Sequence, residues 1–315
     1  MSRVAAVVLN WNGGEGTIRC LRALAASGAR GLSTIVVDNG STDGSPDAVA
    51  REFPSARLIR LPENRGYCGG NDAGIRDALA SGAAFVLLLN DDVFVEEGFL
   101  APLLEAAAAD PRAGALGPKV LREDAPETIW AVGGSFAFGP NTTRLRGFGR
   151  HDDGSLDRGR EVDYVPGCAL LLRAEALRQV GGLDAEYFAY MEDVDLGVRL
   201  RRAGWRSIVV PASRVRHAPS SSSGGGYAPA RKYANALNQV LFLRRHGTPR
   251  QWLAFAVFDV LGIPVAFARE ALRRGNPSAV LAKARGLLDG ARGRRVTAAT
   301  FEKRGQAPFR GRKGA

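Results

Sequence analysis

The fold of this chain is indicated most strongly by Phe85-Val86-Leu87-Leu88-Leu89, followed at once by Asn90-Asp91-Asp92. A short apolar run that ends abruptly in polar residues predicts a strand buried on both faces of a parallel sheet. Ligands of open α/β sheets bind at the carboxyl ends of such strands. We therefore expect the two carboxylates at a binding site, where their repulsion favours Mg²⁺ or Mn²⁺, although a solvated pair of turn acids is the alternative.

The segments before this stretch alternate between strand and helix patterns. Strands are predicted at 4–10, 34–38 and 57–61 and helices at 17–26, 45–53 and 70–81, with Ser45-Pro46 as a helix start. This alternation predicts an α/β fold with a Rossmann-like, doubly wound and mostly parallel sheet. Beyond Pro118 the pattern loosens, and residues 135–148 are predicted to form a hairpin.

Composition and cysteine usage indicate a globular chain from a reducing compartment. The 315 residues, 45% of them hydrophobic, suit one large or two modest domains with a sizeable core. The three cysteines, Cys20, Cys68 and Cys168, lie far apart and have neither zinc-ligand nor disulfide-framework spacing. The apolar run 4–9 is too short for a signal peptide and lacks a basic n-region, so export is not predicted.

Positive charge is concentrated at the carboxyl-terminal end of the chain. Residues 244–315 hold sixteen Lys and Arg against four Asp and Glu, whereas residues 1–243 hold 27 against 28. Charge alone allows either an anionic membrane surface or a nucleic acid as the partner.

The same end of the chain carries apolar helical patterns. A helix is predicted at 231–245, and the apolar run 252–268 is interrupted by Asp259, Gly262 and Pro264. A spanning helix needs about 20 apolar residues and a central Asp costs about 2.5 to 3.5 kcal/mol, so spanning is not predicted. A further helix that opens at Asn276-Pro277 has an apolar stripe of Val280, Ala284, Leu287, Leu288 and Ala291. Apolar stripes flanked by Arg predict a membrane-surface extension and no nucleic-acid partner, with packing on the rest of the chain as the alternative.

Two loops that follow predicted strands carry residues suited to a nucleotide. Asp38 ends the second strand, where an acid commonly contacts the ribose or base, and an Asx turn is the alternative. Asn64-Arg65-Gly66-Tyr67 and Gly69-Gly70-Asn71 follow the third strand. Their glycines allow either a close approach of the backbone to a ligand or a simple turn.

A second acidic cluster, Glu192-Asp193-Val194-Asp195, precedes a helical pattern in which Leu196, Leu200 and Ala203 share a face. Acids in a first helical turn interact favourably with the helix dipole, so capping alone is one interpretation. Because one carboxylate suffices to cap, the crowding of three predicts a catalytic base. His217 follows the predicted strand 207–210, and the Ser- and Gly-rich run 220–226 beside it predicts a flexible lid over a substrate.

Five motifs of the chain, taken in order, resemble those of the inverting glycosyltransferases of family 2, and most closely those of its rhamnosyltransferase-like branch. Their order and spacing match over residues 4–217. The motifs are Val8-Leu9-Asn10-Trp11-Asn12, Val36-Val37-Asp38-Asn39-Gly40-Ser41-Thr42-Asp43, Asn64-Arg65-Gly66-Tyr67, Asn90-Asp91-Asp92 and Tyr190-Met191-Glu192-Asp193-Val194-Asp195-Leu196. The resemblance implies a GT-A fold over residues 1–218, a helical, basic extension over 219–315, and a nucleoside-diphosphate sugar donor of UDP or TDP type.

The resemblance also implies roles for individual residues. Asp193 matches the catalytic base, with Glu192 as the second candidate. Asp92 would hold Mg²⁺ or Mn²⁺ as the last acid of a DxD-type motif whose first acid is here Asn90, while Asp91 would assist and His217 matches a histidine that contacts the metal in some relatives. Asp38 would contact the pyrimidine nucleoside. The other residues expected to bind substrate are Asn10, Asn64, Gly66, Asn71 and Asp91.

These patterns predict an inverting, metal-dependent glycosyltransferase that works in cell-surface polysaccharide synthesis. The expected acceptor is a hydroxyl of a saccharide or of a polyprenyl-linked molecule, and rhamnose is a candidate for the sugar transferred. The expected location is cytoplasmic, peripherally bound to the inner face of the plasma membrane. Two alternatives are a non-catalytic nucleotide-sugar or nucleic-acid-binding protein that uses the basic tail, and an NAD-dependent oxidoreductase, since Gly13-Gly14-Glu15-Gly16 follows the first strand but lacks the GxGxxG spacing.

Overall fold

The computed structural model describes residues 3–29, 31–137, 141–218, 228–273 and 275–302. Its first half alternates strands and helices, as the apolar periodicity predicts. The elements are β1 (Val4–Asn10), α1 (Gly14–Ala26), β2 (Leu32–Asp38), α2 (Ser45–Glu52), β3 (Arg57–Arg60), α3 (Gly66–Ala80) and β4 (Phe85–Asn90). Strand β1 pairs in parallel with both β2 and β4, and β2 pairs in parallel with β3.

The second half adds strands to this sheet, and one of them runs antiparallel to its neighbours. The elements are β5 (Val93–Val95), α4 (Leu100–Ala109), β6 (Ala113–Arg122), β7 (Ile129–Ala131), β8 (Gly134–Phe136), β9 (Thr143–Leu145), β10 (Arg160–Val162), β11 (Ala169–Arg173), α5 (Ala174–Val180), a 3₁₀ helix (Ala185–Tyr187), α6 (Glu192–Arg202) and β12 (Arg206–His217). The main sheet has the order β10-β12-β6-β11-β4-β1-β2-β3. Strand β11 runs antiparallel to both of its neighbours, β4 and β6, so the sheet is mixed.

Several predicted boundaries differ from the structure. Helix α3 begins at Gly66 and not at residue 70, because Gly66 adopts the positive φ of 73° that starts the turn into the helix. Strand β12 continues to His217, well beyond the predicted end at residue 210. The predicted hairpin within 135–148 is confirmed, since β8 and β9 form a two-stranded antiparallel sheet.

Both faces of the sheet are covered, which explains why β4 is continuously apolar. On one face, Val86 and Leu88 pack in a cluster with residues of α3, α6 and α7 (Pro229–His246). On the other face, Leu87 and Leu89 pack with residues of α1 and α4. Since residues of α7 belong to the first cluster, this helix shares the core of the sheet.

The remaining helices lie beyond α7. They are α8 (Pro249–Ala254), a π-helical segment (Phe255–Leu261), α9 (Ile263–Leu272), α10 (Pro277–Ala291) and α11 (Ala299–Glu302). Within the described residues, no single helix is long and apolar enough to cross a membrane, and the bent pair Pro249–Leu261 and Ile263–Leu272 meets that requirement only when its two parts are joined. The division into 1–218 and 219–315 stays a prediction, and the predicted lid at 220–226 lies outside the described residues.

The apolar stripe predicted on α10 is divided between the interior and the surface. Val280 and Leu287 are buried, whereas Leu288 is 57% exposed and Ala291 is also exposed. Helix α10 lies so close to α7 that a Cβ on Gly286 would be 2.3 Å from the carbonyl oxygen of Tyr233. One side of this helix therefore packs on α7, and the membrane-surface role of the extension stays a prediction.

Candidate active site

A cavity of about 420 Å³ opens at the carboxyl ends of β1 and β4. It brings together residues from separate parts of the chain that the sequence identified as candidates. Those that line it are Asn64, Gly66, Asp91, Asp92, Glu192, Asp193 and His217. Asn10, Asp38 and Asn71 are buried and do not line it.

Asp92 and His217 form a pair in this cavity because two strands hold their backbones together. Strand β5, directly after Asp92, pairs antiparallel with the end of β12, so that His217 lies opposite Val93. The Nε2 of His217 is 3.3 Å from Oδ1 of Asp92. Within the described residues, neither Oδ1 of Asp92 nor Nδ1 of His217 has a hydrogen-bond partner, although both atoms are buried. The edge of the Trp130 ring packs on the imidazole at 4.5 Å between centroids and holds its orientation.

Asp91 points away from this pair, towards the start of α1. Its Oδ2 accepts a weak hydrogen bond of 3.4 Å from Oγ1 of Thr17, and a Cβ on Gly13 would lie 2.2 Å from the same oxygen. Burial, followed by the charge of Asp92, raises the pKa of Asp91 to about 7. The described residues contain no group of three His, Cys, Asp or Glu gathered as metal ligands. The predicted role of Asp91 as a metal ligand therefore stays a prediction.

Glu192 and Asp193 open α6 and face the cavity with different environments. Asp193 accepts hydrogen bonds from the backbone N–H of Gly167 at 3.1 Å and of Val194 at 2.8 Å. Oε2 of Glu192 is buried and has no hydrogen-bond partner within the described residues. Burial, and then the charge of Asp193, raises the pKa of Glu192 to about 8, while burial also raises the pKa of Asp193. Backbone N–H groups favour the ionised form of Asp193, while the charge of Asp193 adds to burial in favouring the protonated form of Glu192.

The third acid of the cluster has a structural role. Asp195 accepts hydrogen bonds from Arg199 at 2.7 Å and from Tyr187 at 3.3 Å, and it pairs with His246 of α7 at 2.7 Å. Burial acts to raise the pKa of Asp195, but these donors outweigh burial and leave the pKa below its ordinary value. Asp195 therefore fixes α6 to α7 and is not a free base.

The loop before α6 is strained and is held by a residue that sequence reasoning missed. Phe188, Tyr190 and Met191 have positive φ angles of 58°, 74° and 72°. Non-glycine residues in this region cost free energy that the surroundings must supply. The side-chain amide of Asn238 in α7 donates to the carbonyl oxygens of Tyr187, Ala189 and Tyr190 at 2.7, 2.9 and 2.9 Å.

The predicted nucleotide loops contribute through a network of amides. Asn10 donates to Asp38 at 3.1 Å and to Ser45 at 2.8 Å, which ties the end of β1 to the loop after β2. Asn71 is buried and donates to the carbonyl oxygen of Tyr67 at 2.9 Å. Contact of Asn10, Asp38 and Asn71 with a substrate stays a prediction.

Asn39, adjacent to Asp38, was not singled out by the sequence and does line the cavity. It donates to Asn64 at 3.0 Å and to the carbonyl oxygen of Gly66 at 3.1 Å. Tyr67 of the same motif donates to the carbonyl oxygen of Gly167 at 2.7 Å, and Gly167 in turn holds Asp193. The motif at 64–67 therefore supports the acidic pair as well as the cavity wall.

This fold and site define an α/β glycosyltransferase of GT-A type, and comparisons with known proteins agree. A model of "glycosyltransferase like family 2" matches residues 2–232. The chain belongs to this family and is a glycosyltransferase, which rules against the oxidoreductase and non-catalytic alternatives.

The relatives include two mycobacterial proteins. The chain is 36% identical over 237 residues to the N-acetylglucosaminyl-diphospho-decaprenol L-rhamnosyltransferase of Mycobacterium tuberculosis, a match that covers 69% of this chain and 76% of that protein. It is 31% identical over 207 residues to the pre-mycofactocin glycosyltransferase of the same organism, covering 62% of this chain and 39% of that protein.

Solved structures show the same fold at low identity. A mannosyltransferase from Pyrobaculum calidifontis in complex with GDP-Man and Mn²⁺ superposes with a TM-score of 0.57 at 19% identity, over 92% of this chain and 86% of that one. GalNAc-T7 with UDP, GalNAc and Mn²⁺ gives a TM-score of 0.59 at 13% identity, over 79% of this chain and 52% of that one. The predicted fold class and family resemblance are confirmed.

Proposed function

We propose that the protein is an inverting, divalent-metal-dependent glycosyltransferase that moves rhamnose from a UDP- or TDP-linked donor to a hydroxyl of a polyprenyl-linked saccharide. The observation that carries this proposal is one shared cavity. The Asp92–His217 pair and the Glu192–Asp193 pair both line it. The Asp92–His217 pair suits the leaving diphosphate, and the Glu192–Asp193 pair suits the incoming hydroxyl.

The residues at Asp92 and His217 fit a metal ion. A buried carboxylate oxygen without a hydrogen-bond donor lies 3.3 Å from Nε2 of His217, which would offer a lone pair with the ring proton on Nδ1. The carboxylate suits Mg²⁺ or Mn²⁺, and either ion would complete its coordination with water and substrate phosphate oxygens. When bound, such an ion supplies Lewis-acid stabilisation of the charge that develops on the departing diphosphate.

Asp193 supplies the base. Its ionised carboxylate accepts the proton of the acceptor hydroxyl as the new bond to the anomeric carbon forms and the bond to the diphosphate oxygen breaks. A raised pKa makes Asp193 a stronger base than an exposed aspartate. Glu192 keeps its proton and therefore adds no second negative charge beside the reacting oxygen. A single base on the face opposite the leaving group gives inversion at the anomeric carbon.

The choice of donor and acceptor is supported by the mycobacterial relative, which is named as an L-rhamnosyltransferase acting on N-acetylglucosaminyl-diphospho-decaprenol. The match covers 76% of that protein. We propose cell-surface polysaccharide synthesis as the context for an acceptor of this class.

The exposed apolar surface of the bent helical pair supports a membrane-bound acceptor. Its exposed apolar side chains include Leu261 at 72%, Val265 at 71% and Leu272 at 85% exposure. Asp259, which interrupts the apolar run, is buried and paired with Lys283 at 2.5 Å, so its charge does not face outward. Apolar residues beside Arg250, Arg269 and Arg273 suit an anionic membrane surface, and we place the protein peripherally on the cytoplasmic face.

A thermal-shift screen tests the donor and the metal together. UDP-, TDP- and GDP-sugars and NADH are added to the protein with Mn²⁺ or with EDTA. We expect a UDP- or TDP-sugar to raise Tm only with Mn²⁺, since a ligand at 100 times its Kd adds about 2.7 kcal/mol of stability. Stabilisation by GDP-sugars alone, or equal shifts in EDTA, would contradict the proposed donor or the proposed metal respectively.

A further inference from the structure

Part of the cavity wall comes from residues outside the segment that matches the family. Asn235 of α7 and Phe301 of α11 line the cavity, although the family match ends at residue 232. The ring of Phe301 stacks on Phe188 with 6.1 Å between centroids and 17° between planes. It also contacts Tyr190 at 6.4 Å. The carboxyl-terminal extension therefore reaches back to the strained loop that precedes the catalytic pair.

A cation accompanies these rings. Arg231 lines the cavity, and its guanidinium lies over the ring of Tyr190 at 5.5 Å from the centroid. A positive charge therefore lies beside the aromatic wall, at the edge of the cavity.

We propose that Phe188, Tyr190 and Phe301, together with Arg231, form the acceptor subsite, in which the rings pack on the apolar face of the acceptor sugar and Arg231 binds its phosphate. This inference rests on the proposed function and names the part of the site that recognises the acceptor. The C–H face of a pyranose is apolar and suits an aromatic surface, while a guanidinium forms paired hydrogen bonds to phosphate.

The position of the aromatic wall agrees with acceptor binding. The base must touch the acceptor hydroxyl, and Phe188 and Tyr190 belong to the loop that leads directly into Glu192 and Asp193. Asp92 and His217, which face the leaving diphosphate, are contributed by the sheet and not by this loop. The wall is therefore built from the loop that leads into the base.

The position of Phe301, beyond residue 232, has a consequence for specificity. The family-matched segment contains the Glu192–Asp193 pair, the Asp92–His217 pair and the hydrogen-bond network of Asn10 and Asn39. Asn235 and Phe301 lie outside this segment. A subsite completed by the extension lets the acceptor be selected without change to the residues that carry out transfer.

Kinetics with the full-length protein test this inference. Phe301→Ala and Arg231→Ala are compared with Phe148→Ala and Arg158→Ala, exposed residues that do not line the cavity. Two acceptors are used: N-acetylglucosaminyl diphosphate with a short alkyl chain, and the alkyl glycoside of the same sugar without phosphate. Donor hydrolysis without acceptor and the donor KM report on the rest of the site.

We expect Phe301→Ala to raise the KM of both acceptors about tenfold, a change typical of a lost anchor side chain. Arg231→Ala should raise the KM of the diphosphate acceptor alone. Donor hydrolysis and donor KM should stay within about twofold of wild type in both variants, as in the controls. A raised donor KM with unchanged acceptor KM would overturn the inference and assign the rings to the nucleoside, and unchanged kinetics would overturn it as well.

Calorimetric titration of the diphosphate acceptor separates this inference from the proposed function. If the wild-type protein binds this acceptor but transfers no sugar to it, the proposed reaction is contradicted. Loss of acceptor binding in Arg231→Ala would still support the subsite in that case. Equal binding by wild type and Arg231→Ala contradicts the subsite whether or not transfer occurs.

Discussion

Oδ1 of Asp92 lies 3.3 Å from Nε2 of His217, and the pairing of β5 with β12 is what brings the two residues together. The carbonyl oxygen of Asp92 also accepts a hydrogen bond of 2.9 Å from the N–H of Ala218. Both ends of the contact are therefore fixed by backbone, and the side chains need little reorganisation to hold a cation.

This relationship predicts the metal dependence of two variants. Asp92→Asn and His217→Ala should each raise the Mn²⁺ concentration needed for donor binding by about tenfold or more, because each removes one protein donor atom. The measurement is the donor-induced shift in Tm over a Mn²⁺ titration. His151→Ala, at an exposed histidine, is the matched control. An unchanged Mn²⁺ midpoint in both variants would remove the pair from the metal site.

The sequence identified this pair only in part, for a physical reason. Period-2 and period-3.6 patterns identify β1 to β4 and their helices, because those elements are local and strongly apolar. Whether β12 ends at residue 210 or reaches His217 depends on its pairing with β5 and β6, which is not encoded locally. Strand β11, inserted antiparallel between β4 and β6, had no distinguishing signal for the same reason.

Residues whose role depends on distant partners were also missed. Asn238 looks like any polar residue of an amphipathic helix until α7 is docked against the loop before α6. Phe301 lies close to the end of the chain and becomes a wall residue only through tertiary packing. Glu192 and Asp193, in contrast, were identified because crowded acids at a helix start are unusual in sequence.

The buried carboxyl of Glu192 predicts a pH-dependent stability. Its pKa is about 8 in the folded protein and about 4.5 when unfolded, so between these values the folded state binds more protons than the unfolded state. Proton binding by Glu192 therefore stabilises the folded protein at low pH, and this stabilisation is lost as the pH rises towards 8. Glu192→Gln should match wild type near pH 5 and exceed its Tm by about 2 °C or more at pH 8.

Thermal unfolding from pH 5 to 9, without metal or donor, provides this comparison. Glu105→Gln, at an exposed position on α4, is the control and should follow wild type throughout. A Glu192→Gln protein whose Tm parallels that of wild type at every pH would show that Glu192 is ionised in the folded state.

The three hydrogen bonds of Asn238 predict a positioning role. Asn238→Ala leaves the carbonyl oxygens of Tyr187, Ala189 and Tyr190 without this donor, so the strained loop should relax and move Asp193. We expect a loss of about 1 to 3 kcal/mol in stability and a fall in kcat larger than the rise in KM. Val240→Ala, a buried substitution on the same helix, controls for destabilisation alone. Equal kcat values in the two variants would make Asn238 merely structural.

The exposed apolar surface of the bent helical pair predicts membrane binding. Leu261→Glu with Val265→Glu should reduce sedimentation with phosphatidylglycerol vesicles at least tenfold, because burying one such side chain contributes roughly 1.5 to 3 kcal/mol. The Tm should not change, since both side chains face outward. Phe148→Glu, also at an exposed apolar residue, should bind vesicles as wild type does. Undiminished sedimentation of the double variant would exclude this surface.

Sugar transfer by Asp193→Asn at saturating donor and Mn²⁺ is the decisive measurement for the role of Asp193 as the base. The asparagine preserves the size of the side chain, and its one carbonyl oxygen can still accept from Gly167, but its amide nitrogen cannot accept from Val194 and the side chain cannot take a proton. We predict that transfer falls by about 10² to 10⁴-fold while the Mn²⁺-dependent shift in Tm produced by the donor is retained. Transfer at the wild-type rate, or loss of donor binding together with activity, would contradict the assignment of Asp193 as the base beside a separate donor and metal site.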